Sequence, residues 1–352
     1  MPPHVQELFG GRSLPLLDGE VHAVRKREVL KAFSREALAS YLPLIEKITE
    51  DYFGQWIKAG EIGWIDELKQ LSIEVICAAI IGMPRGNETD QLCRDYIILT
   101  NGFAALPINL PGTRYRKALQ ARDRILDTLR RAVVQRRRTP TGDGLSRVLE
   151  SGVLSDEEAA LELHHIVIAG FIIWAELASI VHQLTLHPDV RERLTKEVQS
   201  STSYSSMPYL MQVINEVKRI CPIVPVVFGK AKEPMSFNGV TVPAGWMLLF
   251  ALMPSHSTHG VYTNPERFDP DRFSPERAED KRHEHAFVPQ GAGPATGHRC
   301  PGLDLATFMM AVFTAVLLRG YTWELPPQNF EMDWSKTPPE MKDGLRATVR
   351  PA

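Results

Sequence analysis

Phe287-Val288-Pro289-Gln290-Gly291-Ala292-Gly293-Pro294-Ala295-Thr296-Gly297-His298-Arg299-Cys300-Pro301-Gly302 is a glycine-rich run that closes on one cysteine and opens onto an apolar stretch, Leu303 to Leu318. Glycines let a loop backbone take φ > 0 and approach a flat ring without a Cβ clash. A helix beginning just after the cysteine turns N–H groups and a positive dipole end toward the sulfur, which favours its ionised form. A thiolate placed in this way is what a heme-thiolate iron site needs, because a cysteine axial ligand pushes electron density onto iron and favours O–O cleavage. Taken alone, Cys300 reads better as a buried structural cysteine beside a turn. The rest of the chain has to decide.

At 352 residues, 44% of them hydrophobic, the chain is long enough to bury a large core. A formal charge of −2 leaves no footprint for nucleic acid or an anionic membrane surface. Cys77, Cys93, Cys221 and Cys300 are widely spaced with no C-x-x-C pair. That spacing argues against a zinc site or a disulfide framework and suits a reducing, cytoplasmic setting. No apolar run reaches the ~18 residues of a spanning helix, and the N-terminus lacks a signal-peptide layout.

Helical periodicity dominates the first two thirds. Helices are predicted over His22 to Leu42, Pro43 to Ala59 (with Pro43 in a first turn), Trp64 to Ile81 and Arg116 to Arg138. Phe103 to Gly112, with two prolines and a glycine, is a bend. Ser155-Asp156-Glu157-Glu158 starts a long apolar helix, Ala159 to Leu186, which ends at His187-Pro188. Tyr209 to Ile220 is another helix. The last third changes character: a hairpin turns at Asn238-Gly239, a strand follows over Met247 to Leu252, and short strands are predicted over Tyr321–Leu325 and Leu345–Arg350. Between them, 261–290 is a coil too long for an ordinary connection. The expected fold is mostly α with a small β-sheet, organised as a single unit over residues 1–352.

Glu216-Val217-Lys218-Arg219 places Glu216 and Arg219 on one helix face. As an isolated pair it would be an ordinary surface ion pair. The coil Asn264-Pro265-Glu266-Arg267-Phe268-Asp269-Pro270-Asp271-Arg272-Phe273 supplies arginines to complete a charge network, which a segment with few backbone ladders needs. In this order and spacing, E-x-x-R, P-E-R-F-D-P-D-R-F and a glycine-rich loop to C-P-G resemble the cytochrome P450 superfamily over nearly the whole chain. The body is similar to retinoid-hydroxylase-like and cyanobacterial members, and the loop ending Gly-His-Arg-Cys-Pro-Gly to fatty-acid peroxygenases. Asp18 to Lys26 looks like the family's heme-facing C helix, Leu106 to Thr113 like its F–G region, and Ala159–Leu186 like its long I helix.

The resemblance implies heme b (iron protoporphyrin IX) held by Cys300 as proximal ligand, with Phe287, Gly293 and Gly302 shaping the loop. It implies that His22, Arg25 or Lys26, and His298 or Arg299 neutralise heme propionates, and that Glu216, Arg219 and Arg272 form a structural triad. Phe171, Val224, Val226, Val227 and Leu345 are the expected pocket residues for a small apolar substrate. A ferredoxin or reductase, or peroxide, would supply the oxidising equivalents.

Three departures bear on the chemistry. The family loop reads G-x-G-x-R-x-C, whereas here nine residues carry the chain from Gly291 to Cys300, three more than in that pattern. On the I helix the family's A-G-x-D/E-T supplies an acid–alcohol proton relay, and this chain reads Ala169-Gly170-Phe171-Ile172-Ile173. The peroxygenases carry Arg-Pro there, and the aligned positions are Ile168-Ala169. Glu176, one turn on, is a candidate relay, but the preferred reading is a glutamate on the far helix face. Finally, Met1 falls where the family would already have passed its A and B helices and two strands. The resemblance therefore implies a fold without those elements, in a truncated product, a fragment, or one half of a split arrangement whose partner supplies them.

Two rival readings are set aside. Gly291 to Gly297 mimics a dinucleotide-binding pattern, but Phe-Val-Pro-Gln precedes it and Pro294 and Pro301 interrupt the helix start. Arg130-Arg131 and Arg136-Arg137-Arg138 lack aromatic interleaving and read as a solvated helix face or a redox-partner patch. The expected function is monooxygenase-type hydroxylation of a lipid, terpenoid or similar metabolite. The alternatives are a peroxygenase, a heme protein catalysing a non-oxygenating rearrangement, and an inactive relative, and Ile172-Ile173 gives them weight.

Overall fold

The computed structural model describes residues 1–352, the side chain of Ser205 excepted. Apolar residues at helical spacing bring distant segments together. Phe53 and Trp56 on the Arg35–Ala59 helix meet Trp64 at the start of Trp64–Ile76 and Phe313 on Leu303–Gly320. Their rings lie 5.0 Å (Trp56–Trp64), 5.6 Å (Phe53–Phe313) and 5.8 Å (Trp64–Phe313) apart. The helix that follows the cysteine loop is therefore anchored in the main hydrophobic core.

The mostly helical architecture with small sheets is as the sequence predicts, and the boundaries differ where tertiary contacts override local signals. The helix expected over His22 to Leu42 is two helices, Gly19–Lys31 and Arg35–Ala59, separated where Ser34 accepts a hydrogen bond from Ala37 N at 3.2 Å. Pro43 does not open a helix but lies inside one. It is exposed, so the carbonyl it leaves unpaired faces water, while Tyr41, Ile45 and Thr49 carry the helix across on the buried side. Ser155 closes the expected capping box with Glu158, but the long helix it starts is interrupted. Asp156–Phe171 ends and Trp174–Leu186 begins on either side of Ile172-Ile173. There Ile173 N bonds back to Gly170 O (3.4 Å) instead of continuing the i→i−4 ladder.

The strand expected at Met247 is Met247–Ala251, and it pairs antiparallel with Val226–Lys230, a strand the sequence reading missed. The hairpin Met235–Phe237/Val240–Val242 forms separately around Asn238-Gly239. Arg346–Pro351 is the centre of a three-stranded antiparallel sheet between Glu61–Gly63 and Tyr321–Glu324. Two helical stretches, Asp156–Leu186 taken through its break and Leu303–Gly320, do satisfy the length and composition of a membrane span, contrary to the sequence expectation. Of their apolar windows, 83% and 67% respectively are buried inside the protein, as core helices are.

Candidate functional site

Cys300 is a free, half-buried thiol at the end of its loop. The loop closes on itself through Cys300 N, which donates to Gln290 O at 3.0 Å. Gly291 and Gly293 take φ of +86° and +83°, a backbone region that side chains disfavour, and this is what the glycines are for. Burial pushes the Cys300 thiol up, while the Gly302 N–H and the Lys26 and Lys218 ammoniums pull it back toward the thiolate.

The expected cations divide. The His22 and His298 rings lie tilted against each other with centroids 4.1 Å apart, His298 Nε2 lies 3.4 Å from Asp18 Oδ1, and Lys26 Nζ donates to Arg299 O. His22, Lys26 and His298 thus gather at one end of the loop, where Lys26 meets the Arg299 backbone. Burial lowers both His22 and Lys26, and His298 and Lys26 lower His22 further. Arg25 is directed elsewhere. Its guanidinium bonds Glu162 (3.0 Å), Glu158 (2.8 Å) and Arg12 O (2.7 Å), so it braces the Gly19–Lys31 helix against Asp156–Phe171 instead of joining the group.

Glu216, Arg219 and Arg272 meet as a buried cluster. Arg219 donates to both Glu216 oxygens (2.7 and 2.8 Å), and Arg272 Nε lies 3.0 Å from Glu216 Oε2. Arg272 also reaches Glu279 at 2.8 Å. From there a chain of bonds runs toward the cysteine loop. Arg219 donates to His256 O, His256 Nδ1 faces Arg219 O at 3.2 Å, and Val288 N donates to His256 Nε2 at 3.1 Å. An Nε2 that accepts fixes the neutral imidazole, and burial holds His256 down at about 4. Phe287, next to Val288, packs edge-on against Phe273 at 4.9 Å.

The expected pocket residues do not share one surface. Val226 and Val227 are consecutive in a strand and point to opposite faces. Val227 sits opposite Phe250 in the register, and both are exposed, as are Val224, Met247 and Leu249. Phe171 is buried beside Tyr96, and Leu345 is in the core at φ +55°, its carbonyl accepting from Trp64 N. Ile172 is half-buried and Ile173 buried at the helix break.

Sequence reasoning missed three residues near the loop. Glu176 is not on an outer helix face: it is fully buried, and neither carboxylate oxygen has a hydrogen-bond partner. Burial pushes it up to about 7, against the pull of Lys218. Lys218 is itself buried and bonds Gln290 Oε1 and Thr307 Oγ1. His256 is the third. The Glu-Val-Lys-Arg spelling held a signal for Lys218, since a lysine beside a buried Glu–Arg pair sits on a helix that is itself mostly inside.

A family model described as Cytochrome P450 matches residues 2–342. The chain belongs to the cytochrome P450 family. It is 30% identical to cytochrome P450 26B1 of Danio rerio, over 98% of this chain and 72% of that protein. With abscisic acid 8'-hydroxylase 1 of Arabidopsis thaliana it shares 29% identity over 92% of this chain and 71% of the relative. A solved structure of retinoic acid-bound cyanobacterial CYP120A1 superposes with a TM-score of 0.92 at 29% identity, covering 100% of this chain and 84% of that one. This P450 is therefore an enzyme of the P450 type, and the family implies a heme cofactor.

The donor set of this P450 fits that group. Among the described residues no three His, Cys, Asp or Glu side chains gather to hold a metal ion. A lone cysteine sulfur, raised by burial but facing the Gly302 N–H and the Lys26 and Lys218 ammoniums, suits a metal whose remaining ligands come from a macrocycle. The Lys26 ammonium at one end of its loop, with the His22 and His298 imidazoles beside it as donors, suits an anionic rim.

Proposed function

We propose that this P450 hydroxylates a small apolar metabolite of the terpenoid or lipid class, using heme b and a ferredoxin or reductase as electron donor, with residues 1–352 acting as one cytoplasmic heme-binding unit. The observation that carries the reading is the Cys300 loop, whose sulfur receives the Gly302 N–H and faces Lys26 and Lys218. The substrate class is supported by two similar proteins, one a hydroxylase of abscisic acid and one bound to retinoic acid. Both names are those of carboxylic acids with a largely apolar carbon skeleton.

Heme, when bound, supplies the insertion of an oxygen atom into an unactivated C–H bond. The chain's residues do the rest. Cys300 would hold the iron from one side. His22, Lys26, His298 and Arg299 would hold the propionates, and Arg25 would act indirectly by fixing the Gly19–Lys31 helix through Glu162. Exposed apolar side chains at Val227 and Phe250, paired across the two strands, favour an apolar ring or chain over water. Ile172 and Ile173 can exclude water at the helix break but can neither hold nor pass a proton.

That last point favours a second reading. Without an acid–alcohol pair, a peroxide-driven reaction or a non-oxygenating rearrangement asks less of this chain, because neither needs protons delivered in step with electrons. The test is spectroscopic, then kinetic. The reduced, CO-treated holoenzyme is expected to show the red-shifted Soret band of a thiolate-bound heme, and Cys300→Ala to abolish it. Turnover of an apolar acid with a reductase, compared with turnover on peroxide, then separates the two readings. A wild-type protein without the red-shifted band would sink both.

A further inference from the structure

Lys218 is a lysine at 2% exposure on a helix whose other buried positions are Tyr209, Leu210, Val213, Ile214, Val217 and the paired Glu216 and Arg219. Burying an ammonium costs several kcal/mol unless something is gained from it, and a leucine or methionine would fill that position without the cost. The partners show what is gained. Lys218 Nζ donates to Gln290 Oε1 at 3.1 Å and to Thr307 Oγ1 at 2.8 Å. Gln290 lies on the arm that enters the cysteine loop, and its backbone carbonyl accepts from Cys300 N at 3.0 Å. Thr307 lies on the helix that leaves the loop, its hydroxyl already donating to Leu303 O at 2.9 Å, so it is oriented to accept from Lys218. One ammonium therefore ties both arms on either side of Cys300. Burial lowers Lys218, and Glu176, Cys300 and Asp304, in that order, act against that and favour its ammonium.

We propose that Lys218 is a positioning residue for Cys300, fixing both arms of its loop and keeping the sulfur in the field of a stationary positive charge. This rests on the reading of Cys300 as the heme ligand. A residue that only filled space would leave the iron's electronic signature untouched once heme was bound, whereas a positioning cation would not.

The test compares heme-loaded wild type, Lys218→Met, Lys218→Arg, Thr307→Val and Cys300→Ala by two readouts, the position of the reduced-CO Soret band and the heme reduction potential. Lys218→Met is expected to retain heme but lose most of the red-shifted band. Its potential should move to a more negative value, because a positive charge near iron favours the reduced state. Lys218→Arg, which keeps the charge, should recover both. Thr307→Val, which frees one arm and keeps the cation, should lose part of the band with little change in potential. A Lys218→Met protein with the wild-type band and potential overturns the inference while leaving Cys300 as ligand intact. If that variant does not fold, a wild-type band in Thr307→Val overturns it instead. A wild type without the red-shifted band overturns the reading of Cys300 itself, and the inference with it.

Discussion

Single residues divide by how much of their role is written next to them in the chain. Cys300 is legible because its neighbours, the glycines before it and the apolar helix after it, are sequence neighbours too. Glu176 is not, because a glutamate on an amphipathic pattern looks solvent-facing until another element covers it. Here it is fully buried and unpartnered, so the neutral acid is favoured and its pKa stands at about 7. At a pH below 4.5 the carboxyl is neutral in folded and unfolded chains alike and costs nothing. Between 4.5 and 7 only the unfolded chain ionises, so stability falls as pH rises through that window. At 1.36 kcal/mol per unit the loss is about 3 kcal/mol. Glu176→Gln removes the titration. Its stability relative to wild type, measured by denaturant unfolding, should rise by about that amount between pH 4.5 and pH 8. Equal pH profiles would show that the carboxyl finds a partner in solution.

At the scale of elements, starts and stops that depend on side chains touching their own backbone were readable. Ser155 with Glu158 is one such start, and the Asn238-Gly239 turn is another. Breaks that depend on packing were not. Nothing in Phe171-Ile172-Ile173-Trp174 breaks a helix by propensity, yet the ladder is interrupted there and Ile173 N turns to Gly170 O. An i→i−4 bond from residue 173 would have ended on the Ala169 carbonyl. A threonine at 173 would place a hydroxyl within reach of that carbonyl, as Thr314 does to Met310 O at 2.7 Å and Thr185 to Val181 O at 2.8 Å. Ile173→Thr should therefore fold, at a cost of about 1–2 kcal/mol for the lost apolar contacts. It also adds an O–H able to pass protons at the break. With a reductase, the share of electrons ending in product is expected to rise severalfold, and turnover on peroxide should stay near wild type. A parallel rise on peroxide would mean that the substitution merely enlarged the pocket.

Across the whole molecule, the helical body and the long coil of residues 261–290 are joined by buried charge. The sequence order of Glu216, Arg219 and Arg272 made the network visible, because a coil without ladders must satisfy its backbone through side chains. Its extent was not visible: Arg272 also bonds Thr263 O and Glu279, and Asp269 N donates to Glu216. Burial alone would raise Glu279, yet Arg277 and the Thr263 N–H bring it down to about 2. His256 extends the same network to Val288 at the mouth of the cysteine loop. Removing one partner from such a cluster leaves the others charged, buried and unpaired, which costs far more than the pair itself contributes. Arg272→Met keeps most of the volume and should lower stability by about 3–5 kcal/mol, read as a fall in denaturation midpoint. Lys196→Met, which breaks an exposed pair with Glu192, should leave the midpoint close to wild type. Because the coil leads into the loop, the Arg272→Met protein should also retain less heme per chain at temperatures below its midpoint. Full heme retention with a lowered midpoint would show that the network holds the body together without positioning Cys300.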